Sequence, residues 1–336
     1  MKTGLRATIR KYFEHQALVL MYHRVAAPES DIWEIAVSPE NFEQHLQVLR
    51  KTKNVIPLKD LVEDVRNGKI RKNSVAITFD DGYVDNFLVA RPLLEKYELP
   101  ATFFIASGNI GSKAEFWWDE LEQLILFSEH LPHRFAMEIN GNCIASDLEQ
   151  ETQLTESLQQ LNSRWNACEQ APPSSRCGLF FDLWQALKPL PATTQQELLQ
   201  SIRVWAGVPK SARPDCLSMS EAQLQKLSRS GLFSVEAHTV SHPALAFHSR
   251  PYQKEELLHN LQYLEEVTGR KPSLLAYPYG NYNEETLASA AELGFVAAFT
   301  TEEKPVTKHS PLLRLARVQA KNCAAPVFTA LLNKWK

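Results

Sequence analysis

The stretch that decides the fold is residues 75–82, which read VAITFDDG. Its first five residues are apolar or β-branched, and an uninterrupted run of this kind is typical of a strand that is buried on both faces. Two carboxylates and a glycine follow at once, so polar groups gather where the strand ends. We therefore expect a buried parallel strand that delivers acidic side chains to one edge of a sheet.

Strand and helix patterns alternate along the chain on both sides of this stretch. Ser38 and Pro39 mark the start of one helix, because serine caps a helix and proline fits its first position. Repeated strand–helix units predict a parallel sheet with helices outside, as an α/β barrel or as an open sheet. The other predicted strands are 17–22, 54–57, 101–106, 233–237, 274–277 and 295–300, and the predicted helices are 39–51, 84–97, 252–267, 284–293 and one that starts at 58.

The alternation stops between about residues 113 and 218. This segment is rich in Gln, Ser and Glu, and it contains the loop-like sequence APPSS at 171–175. Helical patterns occur at 117–127, 154–165 and 179–187. Long loops without secondary structure are rare in compact domains, so we expect a largely helical insertion in a domain that spans 17–336.

The composition excludes several classes of protein. The chain has 36 Lys and Arg against 39 Asp and Glu, for a formal net charge of −3, whereas nucleic-acid-binding proteins usually have a basic surface. No apolar run reaches the ~18 residues of a membrane span. The five cysteines are odd in number and form no C-x-x-C pair, as in a reduced cytosolic protein. We therefore expect a cytoplasmic protein without a nucleic-acid partner, and its oligomeric state stays open.

Residues 1–16 have the pattern of a basic amphipathic helix. Leu5, Ile9 and Phe13 recur at helical spacing, opposite lysines and arginines. Such a helix either lies on an anionic membrane surface, at the inner face of the membrane, or caps the domain. The apolar run that follows, at 17–22, is shorter than the ~7–15 residues of a signal-peptide core, so we expect no cleavage there.

Two adjacent carboxylates, Asp80 and Asp81, form the first candidate site. Like charges this close are costly unless a cation or a proton is shared between them. The same sequence is also typical of an ordinary Asp-Asp-Gly turn, in which Gly82 supplies a positive φ angle. Alone, the motif leaves both interpretations open.

The second candidate is residues 238–243, HTVSHP, directly after the predicted strand 233–237. Imidazoles four residues apart converge on one ion if the segment makes a helical turn, and otherwise they are a surface pair. Two histidines and one carboxylate bind a metal and leave positions open for water and substrate. A second carboxylate beside such a metal is a natural general base.

Aromatic residues dominate the third candidate, residues 276–282, AYPYGNY, again at a strand end. Such a turn either lines a sugar cleft and offers a backbone N–H to an oxyanion, or is a well-packed loop. Trp117 and Trp118, at the start of the insertion, present a similar choice between stacking on a sugar ring and packing in the core.

In this order and context, the three segments resemble the NodB-type polysaccharide deacetylases, carbohydrate esterase family 4. The first segment matches the family's TFDDG motif in full, and the second matches its HTxxHP motif. The likeness extends over about residues 17–110 and 219–318. It implies a distorted (β/α) barrel of the polysaccharide deacetylase type, with a divalent metal at the carboxyl ends of its strands and the helical insertion outside the likeness.

The same resemblance implies a role for each residue of the site. Asp80 is the expected general base. Asp81, His238 and His242 are the expected metal ligands. The backbone N–H of Tyr279 is expected to hold the oxyanion.

One departure from the family pattern concerns the group that holds the base. The third motif of the family usually begins with an arginine in this role, and this chain has Ala276 there. Arg317, Arg314 and Arg24 are the candidate replacements, and we place Arg317 with Tyr279 among the residues on the substrate side of the site.

The late histidine that serves as general acid in the family is also missing from the C-terminal part. An apolar strand that ends in histidine occurs instead at 18–23, LVLMYH. A closed barrel places its first and last strands side by side, so a shifted order delivers this side chain to the same spot. The arrangement resembles the permuted branch found in exopolysaccharide de-N-acetylases and makes His23 the expected acid, the alternative being a structural histidine at a strand end.

The function expected from this resemblance is metal-dependent removal of N-acetyl groups from an amino sugar. The sugar is part of a polysaccharide, an oligosaccharide, or a lipid- or nucleotide-linked precursor of surface polysaccharide. Zinc is the cofactor that the ligand types favour, and iron, cobalt, nickel and manganese also suit them. The alternatives are a deformylase or an O-acetyl esterase with the same site, and a non-catalytic carbohydrate-binding domain.

Overall fold

A parallel sheet forms the centre of the computed structural model, which describes residues 15–335. The helix predicted at 1–16 therefore lies outside the described residues, apart from its last two positions. The strands within 15–335 are β1 Leu18–Tyr22, β2 Arg24–Val25, β3 Ala36–Val37, β4 Asn54–Val55, β5 Ser74–Phe79, β6 Ala101–Ile105, β7 Arg134–Ile139, β8 Asn142–Asp147, β9 Phe233–Ala237, β10 Leu274–Ala276, β11 Ala297–Phe299 and β12 Val318–Gln319.

Eight of these strands form one sheet, in the order β11-β10-β9-β6-β5-β1-β12, with β4 beside β5. All pairings in the sheet are parallel, as the alternation of strands and helices predicts. β1 pairs with β5 along one of its two edges. On the other edge of β5, β4 pairs with the first residues of the strand and β6 pairs with the last ones. The carboxyl ends of β5, β6 and β9 therefore lie next to one another.

The two ends of the sheet meet through the segment that precedes β12. The Leu315 N–H donates to the Ala298 carbonyl at 2.9 Å, and the Thr300 N–H donates to the Leu315 carbonyl at 2.8 Å. The sheet thus curls into the distorted barrel that the family resemblance implies, rather than the open sheet that the strand–helix pattern also allowed. Along β1, Leu18 and Leu20 pack in the largest apolar cluster, whereas Val19 packs in a separate one on the opposite face.

Helices surround this sheet. Those within 15–335 are α1 Pro39–Thr52, α2 Leu58–Arg66, α3 Arg91–Lys96, α4 Trp117–Leu126, α5 Glu156–Ser163, α6 Ser175–Leu187, α7 Ala192–Ala206, α8 Glu221–Ser228, α9 Arg250–Thr268, α10 Glu284–Glu292 and α11 Ala325–Asn333. Ser38 caps α1 as predicted, because its hydroxyl accepts the Asn41 N–H at 3.2 Å. Over residues 15–335, every helix is too short or too polar to pass through a bilayer.

The helix predicted at 84–97 begins irregularly. Asn86–Ala90 is π-helical, and α3 follows it directly. Pro92 has no N–H, so it cannot donate to the carbonyl four residues earlier, and the regular α-helical ladder is interrupted there. Asp85, just before the π-helical turn, accepts a hydrogen bond from Arg24 Nε at 3.0 Å and so ties this helix to β2.

The segment 113–218 contains α4 to α7 and, in addition, an antiparallel hairpin of β7 and β8 that the sequence analysis missed. The hairpin turns at Asn140 and Gly141, whose φ angles are 49° and 76°. Asn-Gly between two alternating segments is a strong hairpin signal, so this element could be predicted from the sequence. The helices α4, α6 and α7 share an apolar cluster with Tyr83 and Ala106, which join the segment to the barrel.

Candidate metal and substrate site

Three buried side chains that can bind a metal meet at the carboxyl ends of β5 and β9. Asp81 follows β5, and His238 and His242 follow β9. Asp81 Oδ1 lies 3.4 Å from Nε2 of His238 and 3.4 Å from Nε2 of His242. One ligand atom from each residue lies within 4.8 Å of the other two. The structure thus brings together the three residues that the two motifs offer as ligands.

The spacing of these atoms fits a bound cation. Two ligand atoms that each lie about 2.1 Å from a tetrahedral ion are about 3.4 Å apart. Asp81 Oδ1 is buried, and no hydrogen bond satisfies it within residues 15–335. A cation would supply the partner that this oxygen lacks, and one carboxylate with two imidazoles is a set that zinc and related transition metals accept.

Hydrogen bonding, burial and nearby charges set the protonation states of Asp81, His238 and His242, on which metal binding depends. His238 Nδ1 lies 2.8 Å from the Ala276 carbonyl, and donating its proton there leaves a lone pair on Nε2. Burial lowers the pKa of His242 to about 3, so this imidazole is neutral near pH 7. Burial opposes the ionisation of Asp81, but the nearby histidines outweigh it and hold its pKa well below the usual range. Burial alone would lower the pKa of His238. The negative charges of Asp80 and Asp81 have the larger effect, so the pKa of His238 is raised above its usual value.

Four residues of the three motifs have left-handed backbone conformations. The φ angle is 72° at Asp81, 68° at Thr239, 56° at His242 and 57° at Tyr279. A non-glycine residue in this region costs about 1–3 kcal/mol and persists only where the surrounding structure enforces it. We attribute these conformations to the orientation of the side chains and backbone amides of these residues toward the candidate metal site.

Asp80 is held by an arginine. Both terminal nitrogens of Arg317 donate to the Asp80 carboxylate, each at 2.7 Å, in a bidentate pair. Arg317 is 0% exposed, and its Nε donates to the Thr300 carbonyl at 3.0 Å, which fixes the guanidinium plane. Burial raises the pKa of Asp80, but the Arg317 charge and the His238 imidazole outweigh it and lower the pKa overall. Asp80 is therefore an ionised carboxylate in a fixed orientation beside the three candidate metal ligands.

The other two candidate arginines lie elsewhere. Arg24 pairs with Asp85 at 3.0 Å, and Arg314 is exposed. Arg317 thus takes the place next to Asp80 that the absence of an arginine at Ala276 leaves open. Its backbone lies directly before β12, far along the chain from the third motif.

A cavity of about 350 Å³ lies over the motif residues. Asp80 is only 2% exposed as a residue, but it lines the floor of this cavity together with Asp81, His238 and His242. The general base that we expect therefore faces the space in which a substrate would bind.

His23 lies on the wall of the same cavity. It follows β1, and β1 pairs with β12, so the first and last strands are neighbours as the shifted-order hypothesis requires. β12 ends at Gln319, which also lines the cavity. His23 Nδ1 is buried and makes no hydrogen bond to any residue that the structure describes, so no contact there marks it as a structural histidine.

The third motif places an aromatic ring over a metal ligand. The Tyr279 ring lies 4.5 Å from the His242 ring, in an edge-to-face arrangement. Gly280 follows with a φ of 63°, and a Cβ at this position would lie 2.9 Å from the Thr301 backbone nitrogen. Glycine is thus required there, and the tight turn that it permits holds Tyr279 in place.

The two tryptophans at the start of the insertion have different positions. Trp118 packs against His242 with 4.8 Å between ring centroids, lines the cavity, and donates from Nε1 to the Tyr83 hydroxyl at 3.0 Å. Trp117 is buried and packs edge-to-face on Trp118, behind the cavity wall. Trp117 therefore packs in the core, whereas Trp118 packs in the core and also forms part of the cavity wall.

Trp33, Trp184 and Lys188 also line the cavity, and no motif in the sequence predicts this position for them. Trp33 belongs to the loop after β2, and the other two belong to the end of α6 and the residue after it. Their sequence neighbours form ordinary helical and loop patterns without a motif. Only the packing of the insertion over the barrel shows that they face the site.

The family model for polysaccharide deacetylases matches residues 67–130 and 205–298 of this chain. The two matched parts contain all three motifs, and they flank residues 131–204, which fall within the insertion. The match thus covers the strands that supply Asp80, Asp81 and the two histidines.

Two curated proteins show the same likeness in sequence. The poly-beta-1,6-N-acetyl-D-glucosamine N-deacetylase of Staphylococcus aureus is 34% identical over 116 residues, which are 31% of this chain and 40% of that protein. YxkH of Bacillus subtilis, whose name places it among the polysaccharide deacetylases, is 21% identical over 321 residues, or 95% of this chain and 76% of YxkH. The match with the higher sequence identity therefore covers less than half of the staphylococcal enzyme.

Solved structures share the fold over nearly the whole chain. The deacetylase PplD of Streptococcus pyogenes has a TM-score of 0.58 at 20% identity, with 95% of this chain and 98% of PplD covered. IcaB of Ammonifex degensii has a TM-score of 0.57 at 17% identity, with 95% and 96% covered. At these identities the likeness establishes the barrel and its topology.

Proposed function

The chain contains a domain of the polysaccharide deacetylase family, and on this premise we propose that it hydrolyses N-acetyl groups of an amino sugar with the help of a divalent cation. One observation carries the proposal: a spare carboxylate, Asp80, is held by Arg317 beside a complete three-residue ligand set. A domain that only binds a metal or a sugar has no need for an oriented base that is not a ligand. The names of the relatives support deacetylation as the reaction class.

Asp81, His238 and His242 are the residues that would hold the cation, and zinc is the ion that we propose first. When bound, a cation of this kind polarises a carbonyl oxygen and lowers the pKa of a coordinated water. Iron, cobalt, nickel and manganese also accept this ligand set.

Asp80 is the group that we propose as general base. It is ionised, and it is fixed by two hydrogen bonds from Arg317, so it can take the proton of the attacking water without a change of position. Arg317 is a positioning residue, since it contacts the base and lies behind it in the barrel wall.

Two further groups serve the later stages of hydrolysis in our proposal. The Tyr279 N–H donates to the oxyanion of the tetrahedral intermediate, because its left-handed turn lies beside His242 at the cavity floor. His23, which also lines the cavity, donates a proton to the nitrogen of the leaving amine. Bond cleavage then yields acetate and a free amino sugar.

The substrate that we propose is an acetamido sugar in a polysaccharide, an oligosaccharide, or a lipid- or nucleotide-linked precursor. The basic amphipathic pattern at 1–16 suits a lipid-linked substrate at the inner face of a membrane. A cytoplasmic location and the absence of a nucleic-acid partner are part of the same proposal.

An acetate-release assay tests the proposed function. The metal-loaded protein is incubated with β-1,6-linked and β-1,4-linked N-acetylglucosamine oligomers, and with nucleotide-linked and lipid-linked N-acetylglucosamine. We expect acetate from at least one of these substrates, loss of the activity with EDTA, and recovery when zinc is returned. Formate from N-formyl sugars, or acetate only from O-acetyl sugars, would instead identify a deformylase or an esterase.

Replacement of Arg317 by methionine should lower kcat about 10²-fold, because a base that has lost its bidentate partner spends little time in the productive orientation. The metal content should stay at the wild-type value, since Arg317 contacts none of the three ligands. Steady-state kinetics and elemental analysis of the purified variant measure the two quantities.

The exposed Arg314 offers a matched control, and R314M should keep wild-type activity. R317M also leaves a buried charge unpaired, which costs about 3–5 kcal/mol of stability, so its unfolding midpoint must be measured and kept above the assay temperature. R317K keeps the charge without the planar fork and should have intermediate activity. A folded R317M with the kcat of the wild type would show that Arg317 does not position the base.

A further inference from the structure

Lys188 is a cation of the insertion that faces the cavity. It directly follows α6, and its backbone N–H donates to the Trp184 carbonyl at 3.0 Å, so the helical path continues through it. Residues four apart lie on the same face of a helix. Trp184 and Lys188 therefore project together, and both line the cavity over the metal ligands.

The Lys188 ammonium lies against two aromatic rings. Nζ is 4.6 Å from the ring centroid of Trp184 and 4.6 Å from that of Tyr279. The two rings meet at an interplanar angle of 88°, and cation–π attraction to both holds the ammonium in place. Because Tyr279 also contacts His242, one substrate molecule can reach the metal ligands and Lys188 at once.

The ammonium lacks an acidic partner within the described part of the chain. No carboxylate oxygen of residues 15–335 forms an ion pair with Lys188 Nζ, and Glu303, which also lines the cavity, is not paired with it. Burial lowers the pKa of Lys188, as it does for an ammonium without a counter-charge. The aromatic faces attract the cation but accept none of its three N–H groups in a conventional hydrogen bond. An anion in the cavity would supply both the charge and the acceptors.

We propose that Lys188, Trp184 and Tyr279 form a subsite for a phosphate group carried by the amino-sugar substrate. The inference rests on the proposed function and narrows its substrate class to phosphate-bearing sugars. Lysine binds phosphate as a point charge, and its three N–H groups can donate to the phosphate oxygens. A sugar nucleotide and a lipid-linked sugar carry the same group, and the test separates these two sources.

The kinetic test compares K188Q with the matched control K271Q, which removes an exposed lysine near the start of β10, at the opposite end of the strands. The substrates are a neutral N-acetylglucosamine oligomer, N-acetylglucosamine 1-phosphate, UDP-N-acetylglucosamine and a short-chain polyprenyl diphosphate N-acetylglucosamine. We expect K188Q to raise KM about tenfold or more for the phosphate-bearing substrates, with KM for the neutral oligomer and kcat unchanged. K188R should restore most of the loss, and K271Q should behave as the wild type.

The source of the phosphate follows from the same data. The larger rise in KM, for the nucleotide-linked or for the lipid-linked substrate, identifies the natural carrier. An equal rise for neutral and phosphate-bearing substrates would show that Lys188 only packs against the sugar, and no rise for any substrate would show that it has no role in binding. Either result overturns the phosphate subsite.

A binding experiment without turnover separates this inference from the proposed function. Titration of the metal-loaded protein with N-acetylglucosamine 1-phosphate, followed by tryptophan fluorescence, gives Kd for the wild type, K188Q and K271Q. If no substrate releases acetate but K188Q still weakens binding about tenfold, the proposed function fails and the subsite stands. If the wild type and K188Q bind equally well, the subsite is wrong, whatever the acetate assay shows.

Discussion

Replacement of Asp80 by asparagine should lower kcat for deacetylation by about 10²–10⁴-fold, the usual effect of losing a general base. Asparagine has nearly the same shape and can still accept one hydrogen bond from Arg317, but its amide cannot take a proton from water. The metal ligands Asp81, His238 and His242 are unchanged, so metal content should equal that of the wild type. Steady-state kinetics and elemental analysis on the same preparation measure both quantities.

The control for this variant is D182N, which makes the same change at an exposed position of α6. It should keep wild-type kcat and metal content. Circular dichroism and a denaturation midpoint verify that D80N is folded, since a buried arginine has lost part of its partner. A folded, fully metal-loaded D80N with kcat within twofold of the wild type would show that another group is the base.

The second large effect concerns His242, whose replacement by alanine should remove most of the bound metal. Two protein ligands remain in H242A, and sites that bind zinc usually have three or four. After dialysis against metal-free buffer we expect one equivalent of metal in the wild type and less than about a tenth of this in the variant. Activity should fall with the metal and should recover only in part when zinc is added in large excess.

H259A, which removes an exposed histidine of α9, is the matched control and should bind one equivalent of metal. The two site variants also test each other. D80N should keep the metal and lose turnover, whereas H242A should lose both. Metal binding by H242A equal to that of the wild type would place the ion elsewhere, and metal loss in D80N would make Asp80 a ligand instead of a base.

All strands of the main sheet except β12, and the meeting of the motifs, could be predicted from the sequence because parallel strands impose a simple rule. Carboxyl ends of neighbouring parallel strands share one edge of the sheet, so motifs that each follow a buried apolar run must converge there. Asp80 and His238 lie far apart in the chain but follow β5 and β9, which are separated only by β6. The predicted strand bounds agree with the structure to within a few residues for the same reason, since a buried strand needs a continuous apolar run.

Arg317 could be proposed from the sequence only because an arginine is absent from position 276. The family that the motifs resemble has an arginine at the position of Ala276, so an arginine from elsewhere in the chain had to be sought as the partner of the carboxylate. The choice among Arg317, Arg314 and Arg24 depends on which side chain points into the barrel. The register of β12 beside β1 fixes that direction, and nothing in the local sequence states it.

The wall of the cavity could not be predicted, because it depends on long-range packing. Trp184 and Lys188 follow the helical pattern of α6, and a lysine at a helix end is ordinary on a protein surface. Their contact with Tyr279 exists only because the insertion folds back over the barrel. The hairpin of β7 and β8 is a different case, since Asn140-Gly141 is a local signal that predicts it without tertiary information.

The central claim is that one divalent cation is bound by three residues while Asp80 stays free beside it. A crystal structure of the zinc-loaded protein, with anomalous scattering recorded at the zinc edge, tests this claim most directly. We predict one peak per chain, about 2.0–2.2 Å from Asp81 Oδ1 and from Nε2 of His238 and His242, with the Asp80 carboxylate still paired with Arg317. A peak at any other site, or an Asp80 oxygen in the coordination shell in place of water, would contradict it.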